Sequence, residues 1–236
     1  MNYAVIIAGG SGLRTGQDIP KQFMFVNDKP IIIWTLEKFQ ASPLIDKIVV
    51  VCLAGWETFL KTYANQFNIS KLSQIIEGGK TRFSSICKAI QALESNASVD
   101  DIVLFFDANR PLITDEMIED SIQKCAVSRG GAVGVMPCYD SMFRGSCDTS
   151  YLLSSENRAS LYVGTGPEAV TYCNAHKLYN KYKNIDASPT IPDLLISEGI
   201  PVACSKSSAK CFKLTTVEDL EIFKAILQTE KFSWLK

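Results

Sequence analysis

Short apolar runs alternate with longer amphipathic segments along most of this 236-residue chain. The short runs are rich in valine and isoleucine and fit buried strands, whereas the longer segments have helical spacing. The pattern predicts strands at residues 3–8, 47–53, 74–76, 102–106, 132–136, 202–204 and 211–214, and helices at residues 31–40, 56–67, 81–93, 114–128, 176–182, 191–197 and 217–229. Thr215 and Glu218 have capping-box spacing and are expected to start the last helix. Because strands that alternate with helices form a mostly parallel sheet covered on both faces, the expected fold class is α/β.

The alternation stops between residues 137 and 172, where helical periodicity is weak and polar residues are scattered. A stretch of this length exceeds an ordinary connection, so we expect it to be functional or to form an interface. No repeat, low-complexity segment or shift in composition marks a second domain. We therefore expect a single domain over residues 1–236.

Composition excludes several classes of function. The chain has 24 Lys and Arg against 25 Asp and Glu, a net charge of −1, so it lacks the basic surface typical of nucleic-acid or membrane-surface binding. The longest apolar stretch, residues 48–56, is too short for a membrane helix. Residues 1–10 lack the basic start of a signal peptide. We therefore expect a cytoplasmic protein without nucleic-acid or membrane partners.

Eight cysteines and a single histidine restrict the chemistry further. No two cysteines have the C-x-x-C spacing of a zinc ribbon or a thioredoxin motif. The chain is long and aliphatic enough to fold without disulfides, so we expect free thiols in a reducing compartment. His176 alone offers little for a histidine-based metal site or a Ser-His-Asp triad, and a structural role is favoured for it.

A glycine-rich stretch, Ala8-Gly-Gly-Ser-Gly-Leu-Arg-Thr-Gly16, follows the first predicted strand. Glycines there let backbone N–H groups approach a phosphate, and the nearby cations Arg14 and Lys21 suit a triphosphate. The spacing departs from the G-x-G-x-x-G of dinucleotide-binding folds. Gly79-Lys-Thr81 supplies only the end of a Walker A motif, because Gln74 occupies the position of its first glycine. A tight turn with surface charges would explain the glycines alone about equally well.

Three further motifs stand where predicted strands end. Residues 77–85 join a strand to a helix, Asp107 ends another strand, and Lys213 precedes the last helix. Open parallel sheets bind ligands at their carboxyl edge, so these side chains are candidates for one site. Asp107 suits Mg²⁺, which usually takes one or two carboxylates and substrate phosphates. Considered singly, these motifs also fit an N-cap at Thr81, an Asp107–Arg110 pair and a solvated lysine.

Six motifs follow one another along the chain: Gly-Gly-x-Gly-x-Arg, Pro-Lys-Gln-Phe, Glu-Gly-Gly-x-x-Arg-x-x-Ser, Asp-x-x-Arg-Pro, Asn-Arg-x-x-Leu and Lys-x-Thr-x-x-Glu-Asp-Leu. With them the sequence resembles, over nearly its whole length, the cytidylyltransferases that activate polyol phosphates. These enzymes act on 2-C-methyl-D-erythritol 4-phosphate in isoprenoid synthesis or on ribitol 5-phosphate in teichoic acid or capsule synthesis. The resemblance implies a Rossmann-like fold with a protruding β-arm, a homodimer, Mg²⁺ as cofactor, and CTP and a polyol phosphate as substrates.

The resemblance also implies roles for individual residues. The catalytic residues would be Arg14, Lys21, Asp107 and Lys213, with Asp107 also the metal ligand. The CTP-binding positions would be Ala8, Gly9, Gly10, Gly12, Gly79, Arg82 and Ser85. The polyol-phosphate-binding positions would be Asp107, Arg110, Asp140, Ser141, Arg158 and Lys213. A dimerisation arm at about residues 137–172 would carry Asp140, Ser141 and Arg158 into the partner's site.

Finer detail of the motifs favours the ribitol 5-phosphate branch, notably Trp56 and the stretch that begins at Lys213. The chain departs from both branches at several positions, among them Ser141 in place of the common threonine and Cys211 in place of an asparagine. Phe106 stands where a histidine is usual, and Asn109 stands where a small residue is usual. Gly166-Pro-Glu168 replaces the usual Thr-Pro-Gln, so Glu168 stands in place of a glutamine. The identity of the alditol therefore stays open. Two rival functions are a sugar 1-phosphate nucleotidyltransferase and a non-catalytic nucleotide-binding protein.

Overall fold

The computed structural model describes residues 1–10, 19–146 and 150–231. The strands in these ranges are β1 (Asn2–Ala8), β2 (Phe25–Val26), β3 (Lys29–Pro30), β4 (Lys47–Cys52), β5 (Leu72–Glu77), β6 (Ile102–Asp107), β7 (Gly131–Pro137), β8 (Met142–Gly145), β9 (Leu152–Glu156), β10 (Tyr162–Thr171) and β11 (Val202–Lys206). The helices are α1 (Ile31–Ala41), α2 (Glu57–Gln66), α3 (Arg82–Ala92), α4 (Asp115–Ser128), α5 (Tyr172–Tyr182), α6 (Ile191–Ser197) and α7 (Val217–Lys231).

One sheet of seven strands organises the molecule, in the order β11-β7-β10-β6-β1-β4-β5. β1 is parallel to β4 and β6, β4 to β5, and β7 to β11. Within this sheet, β10 runs antiparallel to both of its neighbours, β6 and β7. The predicted mostly parallel sheet is therefore confirmed.

Helices cover both faces of this sheet because successive strand residues point to opposite sides. Ala4 and Ile6 pack in a cluster with side chains of α1, α2 and α4. Tyr3 and Val5 pack on the other side with α3, α5 and α6. A third cluster joins α7 to the start of α1 and to the loop that precedes α7. The predicted α/β class, with helices on both faces, is confirmed.

The stretch over residues 137–172 contains more regular structure than the sequence pattern predicts. β8 and β9 pair antiparallel as a hairpin, which is the protruding arm. β10, by contrast, belongs to the main sheet, between β6 and β7. Gly164, Gly166 and Pro167 interrupt its apolar pattern, and its pairing with β7 shifts register between Gly164 and Glu168. The prediction of one irregular stretch up to residue 172 was therefore wrong for β10.

The predicted strand at residues 211–214 was also wrong. Ala209–Cys211 form a 3₁₀ turn, and the three residues that follow belong to no strand. Cys211 and Leu214 are nevertheless buried, each in a different hydrophobic cluster. Their apolar character therefore reflects burial of an irregular loop rather than pairing in a sheet.

The cap of α7 lies one residue later than predicted. The Thr216 hydroxyl accepts a hydrogen bond from the Asp219 N–H at 3.3 Å, and Asp219 Oδ2 accepts one from the Thr216 N–H at 2.8 Å. The capping box is therefore Thr216 with Asp219, and not Thr215 with Glu218.

Free thiols and the lack of a membrane helix were both expected from the sequence. The seven cysteines in the described ranges are all free thiols, as predicted, while Cys147 lies outside those ranges. None of the described helices combines the length and apolar character that a membrane crossing requires.

Candidate active site

A large cavity lies at the carboxyl edge of the sheet, where the strand order changes direction. From β1 the chain continues to β4 and β5 on one side, and then returns to β6 on the other side of β1. Open α/β sheets bind ligands in the crevice at such a switch point. The cavity has a volume of about 670 Å³.

The loop after β1 forms one wall of this first cavity. Ala8, Gly9 and Gly10, which the resemblance assigns to CTP binding, line it. Gln22 holds the loop in place, because its Nε2 donates to the carbonyl oxygens of Ala8 and Gly10, each at 2.8 Å. Gln22 is part of the Pro-Lys-Gln-Phe motif, but no role was predicted for it. Gly12 lies outside the described residues.

The loop before α3 forms the facing wall. Ser85 Oγ accepts a hydrogen bond from the Gly79 N–H at 3.0 Å and donates to the Thr81 carbonyl, also at 3.0 Å. A Cβ on Gly79 would lie 2.2 Å from Ser84 Oγ, so only glycine fits this turn. The predicted CTP-binding residues Gly79 and Ser85 therefore line the same cavity as the loop after β1.

Lys21 brings a cation to this cavity. It begins the 3₁₀ turn Lys21–Phe23, and only 7% of it is exposed. Its ammonium donates a hydrogen bond to the carbonyl oxygen of Thr215. This contact joins the loop after β1 to the loop before α7. Arg14, predicted to act with Lys21, lies outside the described residues.

Asp107, the last residue of β6, lies among three cationic side chains. Its Oδ1 is 3.2 Å from Arg82 Nε, and its Oδ2 is 3.0 Å from Lys213 Nζ and 3.4 Å from Arg110 Nε. Burial raises the pKa of Asp107, but the charges of Arg82, Lys213 and Arg110 outweigh it and lower this pKa to about 2. The carboxylate is therefore ionised at neutral pH.

Hydrogen bonds fix the loop of Lys213 beside the loop of Asp107. Asn109 Nδ2 donates to the Leu214 carbonyl at 2.8 Å, and the Leu214 N–H donates to the Asn109 carbonyl at 2.9 Å. Arg110 Nη1 donates to the Cys211 carbonyl at 2.7 Å. Asn109, which departs from the resembled family, therefore helps to position Lys213.

A second cavity of about 450 Å³ lies on the other side of this charged cluster. Arg82, Asp107 and Lys213 line both cavities and form the wall between them. Arg110 lines the second cavity only. Further residues around the second cavity include Phe106, Val133, Val135, Thr165, Glu168 and Thr190.

Glu168 of β10 is a site residue that was not predicted. Its Oε1 is 2.7 Å from Arg82 Nη2, and its Oε2 accepts a hydrogen bond from the Ile191 N–H at 3.1 Å. Burial raises the pKa of Glu168, and Asp107 adds to that effect, while Arg82 opposes it. The only signal in the sequence was the replacement of the usual glutamine.

Three predicted polyol-phosphate residues are not brought to this site. Asp140, Ser141 and Arg158 are exposed, and none of them lines either cavity as the described residues define it. Arg158 Nη1 instead donates to the Tyr139 carbonyl at 2.6 Å, within the base of the arm. Their predicted role would therefore require a second protomer.

The predicted metal ligand can be tested against its surroundings. Among the described residues, no group of three or more His, Cys, Asp or Glu side chains could hold a metal ion. An ionised carboxylate at the cavity wall suits one ligand of a Mg²⁺ ion that also binds substrate phosphates. Both oxygens of Asp107 already contact cations, so a metal would have to share this carboxylate with them. The assignment of Mg²⁺ to Asp107 stays a prediction.

Comparisons with known proteins identify the family. Residues 2–229 match the model of the 2-C-methyl-D-erythritol 4-phosphate cytidylyltransferase (IspD) family. The chain is 36% identical to a ribitol-5-phosphate cytidylyltransferase of Lacticaseibacillus paracasei, over 97% of this chain and 98% of that protein. It is 34% identical to a 2-C-methyl-D-erythritol 4-phosphate cytidylyltransferase of Clostridium kluyveri, over 98% of each.

A solved structure agrees with this assignment at the level of the fold. The 4-diphosphocytidyl-2C-methyl-D-erythritol synthase of Anaerococcus prevotii superimposes with a TM-score of 0.81 at 22% identity, over 96% of each chain. The switch point of an open α/β sheet is where ligands bind in this class of fold, and the first cavity lies there. The chain therefore belongs to the IspD family of cytidylyltransferases, which are nucleotidyltransferases.

Proposed function

We propose that this cytidylyltransferase transfers the cytidylyl group of CTP to an alditol phosphate, with ribitol 5-phosphate as the leading candidate. The products are CDP-alditol and pyrophosphate. The observation that carries the proposal is the pair of cavities with a common wall of Arg82, Asp107 and Lys213. A two-substrate transfer needs two adjacent sites whose ligands meet at one point, and this wall supplies such a point.

The proposed reaction needs no general base. The second pKa of an alkyl phosphate is about 6, so the alditol phosphate is largely dianionic at pH 7. One of its oxygens attacks the α-phosphorus of CTP, and the bond from that phosphorus to the β-phosphate oxygen breaks. Pyrophosphate leaves with the electron pair of that bond. The main barrier is the approach of an anion to a polyanion.

Cations that line the two cavities address that barrier, and we propose that Arg14, which lies outside the described residues, acts with them. Lys21, together with Arg14, would stabilise the negative charge that grows on the α-phosphate in the transition state. Lys213 and Arg110 would orient the attacking phosphate in line with the bond that breaks. Mg²⁺ is part of the proposal, with Asp107 as one of its ligands, and when bound it would neutralise phosphate charge.

Ribitol 5-phosphate leads because the ribitol-5-phosphate cytidylyltransferase of L. paracasei is 36% identical and the motif details favour that branch. A methylerythritol phosphate is the second candidate, since the family model and the C. kluyveri relative carry that name. We also propose a cytoplasmic homodimer in which the arm of one protomer supplies Asp140, Ser141 and Arg158 to the site of the other.

Pyrophosphate release tests the proposal. Ribitol, methylerythritol, arabinitol, mannitol and glycerol phosphates are each assayed with CTP and with the other nucleoside triphosphates. We expect CTP with ribitol 5-phosphate to give the highest kcat/KM. Lys21→Ala should lower kcat by about 10²- to 10³-fold, as expected for loss of one charge-stabilising donor.

Lys181→Ala is the matched control, because Lys181 pairs with Glu198 on the surface and lines neither cavity. This variant should keep the activity of the wild type. A preference for the methylerythritol phosphate would favour the second candidate. No pyrophosphate with any alditol phosphate would contradict the proposal.

A further inference from the structure

Glu168 is a carboxylate in the wall of the second cavity, and it makes two contacts to different parts of the molecule. Only 8% of the residue is exposed. One oxygen pairs with Arg82 Nη2 at 2.7 Å, and the other accepts the Ile191 N–H at 3.1 Å. Glu168 therefore connects β10 to the first residue of α3 and to the first residue of α6.

These two contacts require a carboxylate. Both partners are donors, and each points at a different oxygen of Glu168. A glutamine has one acceptor oxygen and one donor NH₂ group, so it would leave either Arg82 or Ile191 facing a donor. A buried donor without a partner is costly. The glutamine that is usual at this position in the resembled family would therefore fit poorly beside Arg82 as it lies here.

The guanidinium of Arg82 is divided between two carboxylates. Its Nε contacts Asp107 Oδ1 at 3.2 Å, and its Nη2 contacts Glu168. Its third nitrogen, Nη1, is buried and has no hydrogen-bond partner among the described residues. The hydrogen bonds that hold the guanidinium in place are therefore those to the two carboxylates.

Because Arg82 is shared between Asp107 and Glu168, it contacts only Oδ1 of Asp107. The other oxygen, Oδ2, contacts Lys213 and Arg110. An arginine beside a single carboxylate favours a bidentate pair, in which two N–H groups bind both oxygens. Here Asp107 Oδ2 instead contacts Lys213 Nζ at 3.0 Å. If Glu168 did not hold Nη2, Arg82 could take both oxygens of Asp107 and compete with Lys213.

We propose that Glu168 is a positioning residue for the second substrate: it holds Arg82 away from Asp107 Oδ2 and so keeps Lys213 in the wall between the two cavities. The inference rests on the proposed function and deepens it. Glu168 lines only the second cavity, whereas Arg82, Asp107 and Lys213 line both. Its loss should therefore affect the alditol phosphate more than CTP.

Steady-state kinetics of Glu168→Gln and Glu168→Ala test the proposal. We expect each substitution to raise the KM for the alditol phosphate by about tenfold or more, the loss expected for one hydrogen bond to a charged group. The dissociation constant of CTP, measured by calorimetry without the alditol phosphate, should change by less than about threefold. Equal losses for both substrates, together with a lower melting temperature, would mean a merely structural role and would overturn the proposal.

Glu198→Gln is the matched control. It also removes a carboxylate that pairs with a cation, here Lys181, but it lies away from both cavities. Its kinetic constants should be those of the wild type.

A double-mutant cycle shows whether Glu168 acts through Arg82. Arg82→Gln, Glu168→Gln and the double variant are compared in kcat/KM. If Glu168 acts by holding Arg82, the double variant should be no worse than Arg82→Gln alone, because residues that share one interaction are not additive. Independent, additive losses would overturn the proposal.

A crystal structure of Glu168→Gln separates this inference from the proposed function. We expect Arg82 to rotate into a bidentate pair with Asp107 and Lys213 to move away from Oδ2. An unchanged Arg82 would overturn the inference, whichever substrate the enzyme prefers. If the wild type released no pyrophosphate with any alditol phosphate, the proposed function would fail, but the crystallographic result would still decide the role of Glu168.

Discussion

Asp107 and Glu168 are two carboxylates that a single guanidinium, that of Arg82, joins across the wall between the cavities. Lys213 and Arg110 contact the same cluster through Asp107. Buried charges are tolerated only when they are paired, and each carboxylate here has a cationic partner. The cluster has one more cation than it has carboxylates, so it keeps a positive charge that suits phosphate ligands.

The low pKa of Asp107 predicts a pH-dependent contribution to stability. The folded-state pKa of about 2 lies below the ordinary value of 3.8, because the neighbouring cations outweigh burial. The ionised carboxylate therefore stabilises the fold above about pH 4, and this contribution is lost as the pH falls through about 2. At pH 7, Asp107→Asn should lower the free energy of unfolding by about 2 kcal/mol.

Urea unfolding of the wild type and of Asp107→Asn between pH 7 and pH 2.5 measures this contribution. The difference between the two proteins should stay constant down to about pH 4 and shrink below it. A difference that is the same at every pH would show that the charge of Asp107 does not contribute.

Among the elements, the loop before α7 has no regular structure, but Asp219 holds it firmly. The carboxylate oxygen Oδ2 of Asp219 accepts hydrogen bonds from the Thr215 N–H at 2.6 Å, the Thr216 N–H at 2.8 Å and the Thr215 hydroxyl at 2.9 Å. Burial raises the pKa of Asp219, but these hydrogen bonds lower it more, so the net shift is downward. The same loop carries Lys213 to Asp107.

The structure caps α7 with Thr216 and Asp219, whereas the sequence pattern predicted Thr215 and Glu218, and substitutions distinguish the two assignments. Asp219→Ala should lower the free energy of unfolding by about 1 kcal/mol, the usual cost of a lost cap. It should also lower kcat/KM, because the loop of Lys213 loses its anchor. Glu218→Ala is the comparison and should have the smaller effect, since Glu218 is exposed and, although its side chain also hydrogen-bonds to Thr216, it does not form the capping box. Equal effects of the two substitutions, in urea unfolding and in pyrophosphate release, would contradict this assignment of the cap.

The sequence predicted the elements whose patterns are local. α6 has the predicted bounds, since its apolar periodicity follows a threonine cap and includes an early proline. β10 was missed because Gly164, Gly166 and Pro167 interrupt its apolar pattern. The pairing of Arg82 with Glu168 joins residues 86 positions apart, and no local pattern reveals such a contact. The roles proposed for Asp107 and Lys213 rest on the resemblance, not on spacing alone.

At the scale of the whole molecule, the arm exposes apolar side chains that the rest of this chain, as far as it is described, does not cover. The hairpin β8–β9 exposes Met142, Phe143, Leu152 and Leu153. Several exposed apolar side chains on one element are typical of interaction surfaces. Closed dimers with twofold symmetry are the commonest assembly for such surfaces. The proposed exchange of arms would cover these side chains and place Arg158 beside the site of the partner.

Mixing two inactive variants tests this exchange. If Arg158 acts in the partner's site, a heterodimer of Arg158→Ala and Lys21→Ala subunits has one site with both lesions and one intact site. In an equal mixture, about a quarter of all sites should then regain activity, by binomial counting over closed twofold dimers.

Lys21→Ala mixed with Asp107→Asn is the control. Both of these lesions lie in the body of the chain, so every site keeps one lesion and mixing restores nothing. With subunit exchange confirmed independently, a flat activity across the first mixing series would rule out a shared site. The family assignment would stand, because it does not depend on the arm.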